Sequence, residues 1–341
     1  MLIVACPCAL LLSATFTNGH VVRALDRAGM YLRNYAILEK MLPLTHVVLD
    51  KTGTITTNNQ FEISYSGEEL TPGEKIMVAS VAAQSSHPLS KAVTKWLNVH
   101  PDQVKDYKET TGKGLEAWMN DHHIKMGSPD FVWEHNPLKI KGSLVAFRID
   151  HEKQGVFILK NNYRPGLKEE LKQISSLYHL SIVSGDNDGE RDTLFAVTGN
   201  HAGLKFNQSP HDKLEHVRTL QAAGAKVLMV GDGLNDAAAL SQSDVGIAVT
   251  DNVNNFSPAC DAILEASRLH KLHAYLKMAG RGRQVIYFSF VVSILYNIAG
   301  LSFAAMGLLT PLVAAILMPA SSISILMITW AGVWVSAKRL L

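Results

Sequence analysis

The stretch Thr45-His46-Val47-Val48-Leu49-Asp50-Lys51-Thr52-Gly53-Thr54 decides how this chain is read. Its short β-branched run reads as a buried strand that ends on an acid and a glycine-containing turn. A carboxylate at a strand tip, presented on a tight turn, suits nucleophilic attack on a phosphoryl group and a covalent intermediate. Lys51 and the turn amides would help to neutralise phosphate charge. The plainer reading is a strand followed by an ordinary turn.

A second stretch, Gly231-Asp232-Gly233-Leu234-Asn235-Asp236, argues against the plainer reading. It follows the apolar run Val227-Leu228-Met229-Val230, and its Asp232 and Asp236 offer carboxylates for Mg²⁺, a hard cation that bridges phosphates. From residue 164 onward helices and apolar strands alternate. Helices are expected over 167–177 and 211–223, and strands over 180–184, 226–230 and 245–249. Such alternation predicts an α/β domain built on a Rossmann-like parallel sheet. Three strands end in polar turns, at Asp50, at Ser184-Gly185-Asp186 and at residues 231–236. Sites in open α/β sheets lie at the carboxyl ends of the strands, so the three turns can converge on one point.

Between these parts the texture changes. Residues 58–160 hold a helical patch over 74–97, short strands over 145–149 and 155–159, and turns rich in Gly, Asp and Asn. This predicts an inserted α+β domain. A basic, helix-like segment over 21–41 precedes the Asp50 strand.

The 47% hydrophobic content is concentrated at the ends. Residues 285–309 and 310–335 carry no charge, and each is long enough to cross the ~30 Å hydrocarbon core as a helix. Lys271, Lys277, Arg281 and Arg283 precede the first, while Lys338 and Arg339 follow the second. Basic flanks on both sides predict a transmembrane hairpin with cytoplasmic ends. The apolar run 1–16 is short, broken by Pro7, and lacks the basic start of a cleaved signal. A net charge of +2 gives no support to nucleic-acid binding. Three cysteines, two of them in Cys6-Pro7-Cys8, are no disulfide framework, so the bulk of the chain reads as cytosolic. Cys260 reads as a buried apolar residue.

With Asp50-Lys51-Thr52-Gly53-Thr54 followed by Gly231-Asp232-Gly233-Leu234-Asn235-Asp236, nearly the whole chain resembles the P-type ATPases and their wider kin, the haloacid dehalogenase-like phosphotransferases. The resemblance implies that ATP phosphorylates Asp50, that Asp50 and Asp232 hold Mg²⁺, and that Asn235 and Asp236 support the phosphate site. Ser184-Gly185-Asp186 is similar to the family's Thr-Gly-Asp, with Ser184 keeping the hydroxyl, and Lys213 falls where the family has a phosphate-binding lysine. In the inserted domain Ser85-Ser86-His87-Pro88-Leu89, Gly112-Lys113-Gly114 and Gly127 look like a nucleotide-binding domain, with His87 near the adenine. Taken as bare residues they also fit a helix start and ordinary turns. Ser86 and Ala82 stand where the family usually has acids, and Asn161 where it usually has Asp.

The membrane motifs point to the heavy-metal branch. Cys6 and Cys8 place soft thiolates around a proline, and soft ligands favour Cu(I) and Zn; polar groups within a span mark an ion pathway. Tyr296-Asn297 and Met318-Pro319-Ala320-Ser321-Ser322 lie in the later spans. Together they resemble the Cu(I)-exporting subgroup, whereas Zn(II) and Cd(II) pumps more often show an acid in the last span. The candidate metal ligands are thus Cys6, Cys8, Tyr296, Asn297, Met318 and Ser322.

The expected division is 1–40 for a truncated membrane helix and its cytoplasmic extension, 41–57 and 161–270 for the phosphorylation domain, 58–160 for the nucleotide-binding domain, and 271–341 for the hairpin. No Thr-Gly-Glu of an actuator domain occurs. The expectation is therefore a truncated product or half of a split pump, able to phosphorylate Asp50 but slow to release the phosphate. A partner chain would supply the actuator, and a copper chaperone could deliver the metal to this lipid-embedded protein. The alternatives are a Zn(II) or Cd(II) ATPase, a membrane-tethered phosphohydrolase and an inert regulatory fragment. Thr52 speaks against the phosphohydrolase, which usually carries a second acid at that position.

Overall fold

The computed structural model describes residues 8–133, 143–198, 202–233, 235–251, 260–308 and 310–341. They form two compact units. The first takes in the described residues up to Ile55, Arg164–Gly185 and those from Val197 to Leu341; the second is Thr56–Tyr163 with Asp186–Ala196.

The first unit is built on a seven-stranded sheet in the order Met30–Leu32, Ala262–Glu265, Val245–Thr250, Val227–Gly231, His46–Asp50, His179–Val183, Ala202–Lys205. All neighbours are parallel except the first pair. The three strands around Asp50 are nearly all apolar because helices cover both faces of a parallel sheet. Val47, Val48, Leu49 and every residue of Val227–Gly231 are buried. The observed helices Leu167–Ser175 and Pro210–Ala222 and strands His179–Val183, Val227–Gly231 and Val245–Thr250 lie within two residues of their expected bounds.

The segment 21–41 differs from its helix-like expectation. The helix Cys8–Arg27 ends there, Gly29 adopts φ 90°, and Met30–Leu32 then pairs antiparallel at the sheet edge. A positive φ stops a helix and is open to glycine; a Cβ at Gly29 would also meet the Glu265 carboxylate at 2.8 Å.

The second unit carries a six-stranded antiparallel sheet, Thr56–Gly67, Lys153–Tyr163, Ser143–Ile149, His122–Gly127, Gly114–Met119, Lys105–Thr110. The expected helical patch over 74–97 is two helices, Pro72–Ala83 and Pro88–Leu97. Each has its own start: a Thr71/Glu74 capping box and Pro72 for the first, His87 as N-cap and Pro88 for the second. Their apolar faces (Val78, Val81, Ala82, Val93) pack with Ile124, Phe147, Phe157 and Leu159 of the sheet. Val132 and Trp133 form a smaller cluster with Ala146 and Val156, whose side chains alternate to the other face.

Among the described residues two helices are long and apolar enough to cross a membrane, Leu272–Ala305 and Pro311–Leu340. Tyr287, Ile294, Leu295, Ile316 and Met327 leave about half or more of their surface uncovered. The first begins some four turns before its uncharged stretch, and its opening turns bury Leu272, Tyr275 and Met278, with the Tyr275 hydroxyl donating to Ala28 O at 2.7 Å. Glycines bring the helices close: a Cβ at Gly282 would meet Val21, and one at Gly332 would meet Val285, each at 2.9 Å.

Candidate active site

Asp50 is the last residue of a central strand, flanked by His179–Val183 and Val227–Gly231. The chain then turns through Thr52 (φ −78°, ψ 123°) and Gly53 (φ 76°, ψ −11°), the geometry of a type II turn, whose third position requires positive φ. Lys51 and Thr54 are buried with Asp50, while Thr52 is exposed. On one side Ser184 follows its strand directly, fully buried, its amide donating to Lys205 O and its carbonyl accepting from Gln208. On the other side Val227–Gly231 delivers Asp232, Asn235 and Asp236.

Lys213 closes the cluster. A Ser209/Asp212 capping box with Pro210 fixes the start of Pro210–Ala222, which turns Lys213 and Val217 to the sheet as the helix's buried residues. Lys213 Nζ donates to Asp50 Oδ1 at 2.6 Å and to Asp236 Oδ1 at 2.8 Å. Burial, then the Asp236 charge, pushes Asp50 up to about 7 despite Lys213, with Asp232 adding a smaller push the same way. Burial likewise raises Asp236. Burial acts to lower Lys213, but its two carboxylates outweigh it and hold the ammonium charged. One cation thus serves two buried acids, and the group is short of positive charge.

Two of the buried oxygens that have no hydrogen-bond partner among the described residues belong to this group: Asp236 Oδ2 and Thr54 Oγ1. A carboxylate oxygen left so is costly, and both atoms sit beside Asp50 in sequence or across Lys213. This donor set of hard oxygens, with its excess negative charge, fits a Mg²⁺ ion and a phosphate group. Gly231 makes room for the arrangement, since a Cβ there would lie 2.5 Å from Asp236 Oδ2. Asp232 accepts from the backbone and side-chain nitrogens of Asn235, both at 3.1 Å, so Asn235 orients Asp232.

Arg164 was not read from the sequence as a functional residue. It is buried, donates to Thr54 O at 2.8 Å and Gly53 O at 3.2 Å, and grips Asp251 with both terminal nitrogens at 3.1 and 3.3 Å. It therefore ties down the carbonyls of the turn after Asp50. Arg164→Met is expected to lower the unfolding free energy by about 2–3 kcal/mol, the worth of charged hydrogen bonds with buried acceptors left unpaired. Urea unfolding of wild type and variant measures it; Asp251→Asn, whose carboxylate is exposed, should cost far less.

In the second unit a cleft of about 220 Å³ is lined by Ser85, His87, Glu109, Gly112, Lys113 and Gly127 among others. His87 Nδ1 accepts from the Leu89 amide at 3.2 Å, so the imidazole caps its own helix and carries its proton on Nε2. Gly112 has φ 73° with nothing near a would-be Cβ, so it leaves open space. Gly114 and Gly127 face each other across paired strands, and a Cβ on Gly127 would lie 2.5 Å from Gly114 Cα. Their first duty is strand contact. Glu109, overlooked in sequence, accepts from Ser85 Oγ at 3.0 Å and Tyr107 at 2.9 Å and brings a carboxylate into the cleft. Asp186 groups with this unit, where burial, Glu190 and Asp186 together raise the Tyr163 phenol.

Of the expected metal ligands, Cys6 lies outside the described residues, as do the side chains of Cys8 and Met318. Tyr296 donates to Leu317 O at 2.8 Å and so joins the two long helices; Asn297 and Ser322 are half-buried on those helices.

A family profile described as haloacid dehalogenase-like hydrolase matches residues 44–244. The chain is also 30% identical to the solved catalytic CPx-ATPase domain CopB-B, covering 98% of that chain and 75% of this one with a TM-score of 0.59. The chain belongs to the haloacid dehalogenase-like hydrolase family, as a portion of a heavy-metal P-type ATPase. A zinc-transporting PIB-type ATPase in its E2.Pi state shares the ATPase fold at TM-score 0.78 and 21% identity, over 97% of this chain and 56% of that one. Among curated relatives, nitrogen fixation protein FixI of Rhizobium meliloti and a copper-exporting P-type ATPase of Staphylococcus aureus are each 28% identical over 95% of this ATPase chain. It spans 42% of the length of each.

Proposed function

We propose that this chain is the catalytic and C-terminal membrane part of a pump that moves a soft metal cation, Cu(I), by way of an aspartyl-phosphate on Asp50. The observation that carries the reading is the Lys213 bridge between Asp50 and Asp236 at the carboxyl ends of central strands, with Asp236 Oδ2 left unpartnered. That constellation is short of positive charge and suited to a phosphoryl group.

The ionised Asp50 attacks the terminal phosphorus of ATP; the bond to the bridging oxygen breaks, and ADP leaves with the electron pair. Lys213 spreads charge between Asp50 and the phosphoryl oxygens, Asp236 holds Lys213, and the Ser184 and Thr54 hydroxyls are donors for phosphate oxygens. Asp50 and Asp232 would hold Mg²⁺, which when bound neutralises phosphate and carboxylate charge. Thr52, in place of a second acid, favours a phosphoenzyme that lasts over one that hydrolyses at once.

The second unit, taken as the nucleotide-binding domain, offers its cleft at His87, Gly112, Gly114 and Gly127 for ATP. The helix Cys8–Arg27 and the two long helices of 271–341 serve as membrane segments, with the basic flanks, the seven-stranded sheet and the second unit cytoplasmic. Cys6 and Cys8, with Tyr296, Asn297, Met318 and Ser322, would take the transported ion, and soft thiolates together with the lack of an acid over 310–335 favour Cu(I). A copper chaperone and a partner carrying an actuator domain belong to this reading.

The test is to incubate the membrane-extracted chain with terminally labelled ATP and Mg²⁺, with Cu(I), with Zn(II) and with neither. Acid-stable label that hydroxylamine removes, and that Cu(I) increases, is the expected result. Stimulation by Zn(II) alone would reassign the ion, and label resistant to hydroxylamine would refute the acyl phosphate.

A further inference from the structure

Apart from the sites described, the first unit holds a cavity of about 420 Å³ where three helices meet. Arg23 and Arg27, one turn apart on Cys8–Arg27, line one side. Trp330 and Trp334, one turn apart on Pro311–Leu340, line another. Arg268 and Lys271 close it from the turn leading into Leu272–Ala305. The indoles stack with centroids 6.2 Å apart, and Lys338 Nζ lies 5.4 Å from the Trp334 ring.

No Asp or Glu side chain lines this cavity. Among the described residues the three arginines enter no ion pair with an acid; Glu265, close in sequence to Arg268, accepts instead from Tyr31. Lys271 donates to the α-carboxylate of Leu341, which also lines the cavity. With that carboxylate taken by Lys271, three arginines remain without an acid and call for an anion, and their planar donors match phosphate oxygens.

The aromatic wall narrows the choice of anion. Ile323, Met327, Trp330 and Trp334 recur at helical spacing, so one stripe runs from the cavity along Pro311–Leu340. Ile323, Met327 and both tryptophans expose more than half of their surface. A charged head in the arginine pocket would continue into an apolar tail along that stripe. Indoles at the end of an apolar helix sit at headgroup level, and basic pockets between membrane helices on the cytoplasmic side take anionic headgroups.

From this juxtaposition we infer that the cavity binds the phosphate headgroup of an anionic phospholipid from the cytoplasmic leaflet. The inference rests on the membrane reading given under the proposed function.

The test reconstitutes the full chain in phosphatidylcholine vesicles containing a minor fraction of phosphatidylglycerol, extracts it gently, and counts retained lipids by native mass spectrometry. Wild type is expected to retain phosphatidylglycerol over phosphatidylcholine. R23Q/R27Q is expected to weaken that preference about tenfold or more, since each basic residue near an anionic surface contributes at that scale. R23K/R27K keeps the charge and should keep most of the preference, which separates charge loss from misfolding. Equal retention of both lipids, an unchanged preference in R23Q/R27Q, or displacement by inorganic phosphate, which would mark a free-anion site, overturns the inference. A chain that fails to float with vesicles overturns the membrane reading along with it; one that floats without preference overturns this inference alone.

Discussion

Asp50→Asn is expected to remove every trace of acid-stable label while making the ligand-free protein more stable at neutral pH. The loss of label follows from the loss of the nucleophile. The gain follows from the proton balance: Asp50 holds its proton to about 7 in the folded chain, against 3.8 for an ordinary aspartate. The unfolded chain therefore releases that proton first, and stability falls as pH rises from about 4 to about 7. An amide has no such penalty and still offers Lys213 an acceptor oxygen. The advantage of Asn should grow over that window to on the order of 2–4 kcal/mol. Mg²⁺ should reverse the order, stabilising wild type and not the variant. Thermal or urea unfolding near the two ends of the window, with and without Mg²⁺, measures this. A variant less stable than wild type throughout would show that the Asp50 charge is already compensated in the ligand-free fold.

Lys213→Met should act with the opposite sign on stability. It leaves Asp50 and Asp236 buried and facing each other without their shared cation. Removing one partner of a buried ion pair costs about 3–5 kcal/mol, because the remaining charges must be neutralised by protons. The cost should therefore be largest well above neutral pH and shrink as the pH falls into the ordinary carboxylate range, where the buried acids take up protons. Label on Asp50 should fall strongly as well. Asp50→Asn should add more stability in the Lys213→Met background than it adds to wild type, since one of the two uncompensated charges is gone. A purely additive double variant would mean that Lys213 contributes packing alone.

The strands around Asp50 and the carboxylate that ends one of them were legible because each signal is local. A run of Val and Leu closed by Asp50, and another closed by Gly231 and Asp232, states both the strand and what it presents. The helix expected over 211–223 was equally plain, while the Ser209/Asp212 capping box that the structure adds sets which face Lys213 occupies. The hinge in residues 84–87 and the strand Met30–Leu32 were less plain. The first is two competing helix starts within one apolar pattern, and the second is a three-residue strand that exists only because Ala262–Glu265 lies beside it.

The sequence by itself determined the parallel α/β frame, the inserted α+β domain, the two long apolar helices and the residue types able to carry phosphoryl chemistry, because period and charge are written over a few neighbouring positions. Tertiary structure alone decided that one lysine serves two acids, that Arg164 reaches across more than a hundred residues to the carbonyls of Gly53 and Thr54, that Glu109 turns into the cleft beside His87, and that Arg23, Arg268 and Trp330 share a pocket. The reason is physical. Buried charge and unpaired carbonyls impose their cost wherever the fold brings them together, and those meetings depend on the packing of distant elements rather than on any local run of residues.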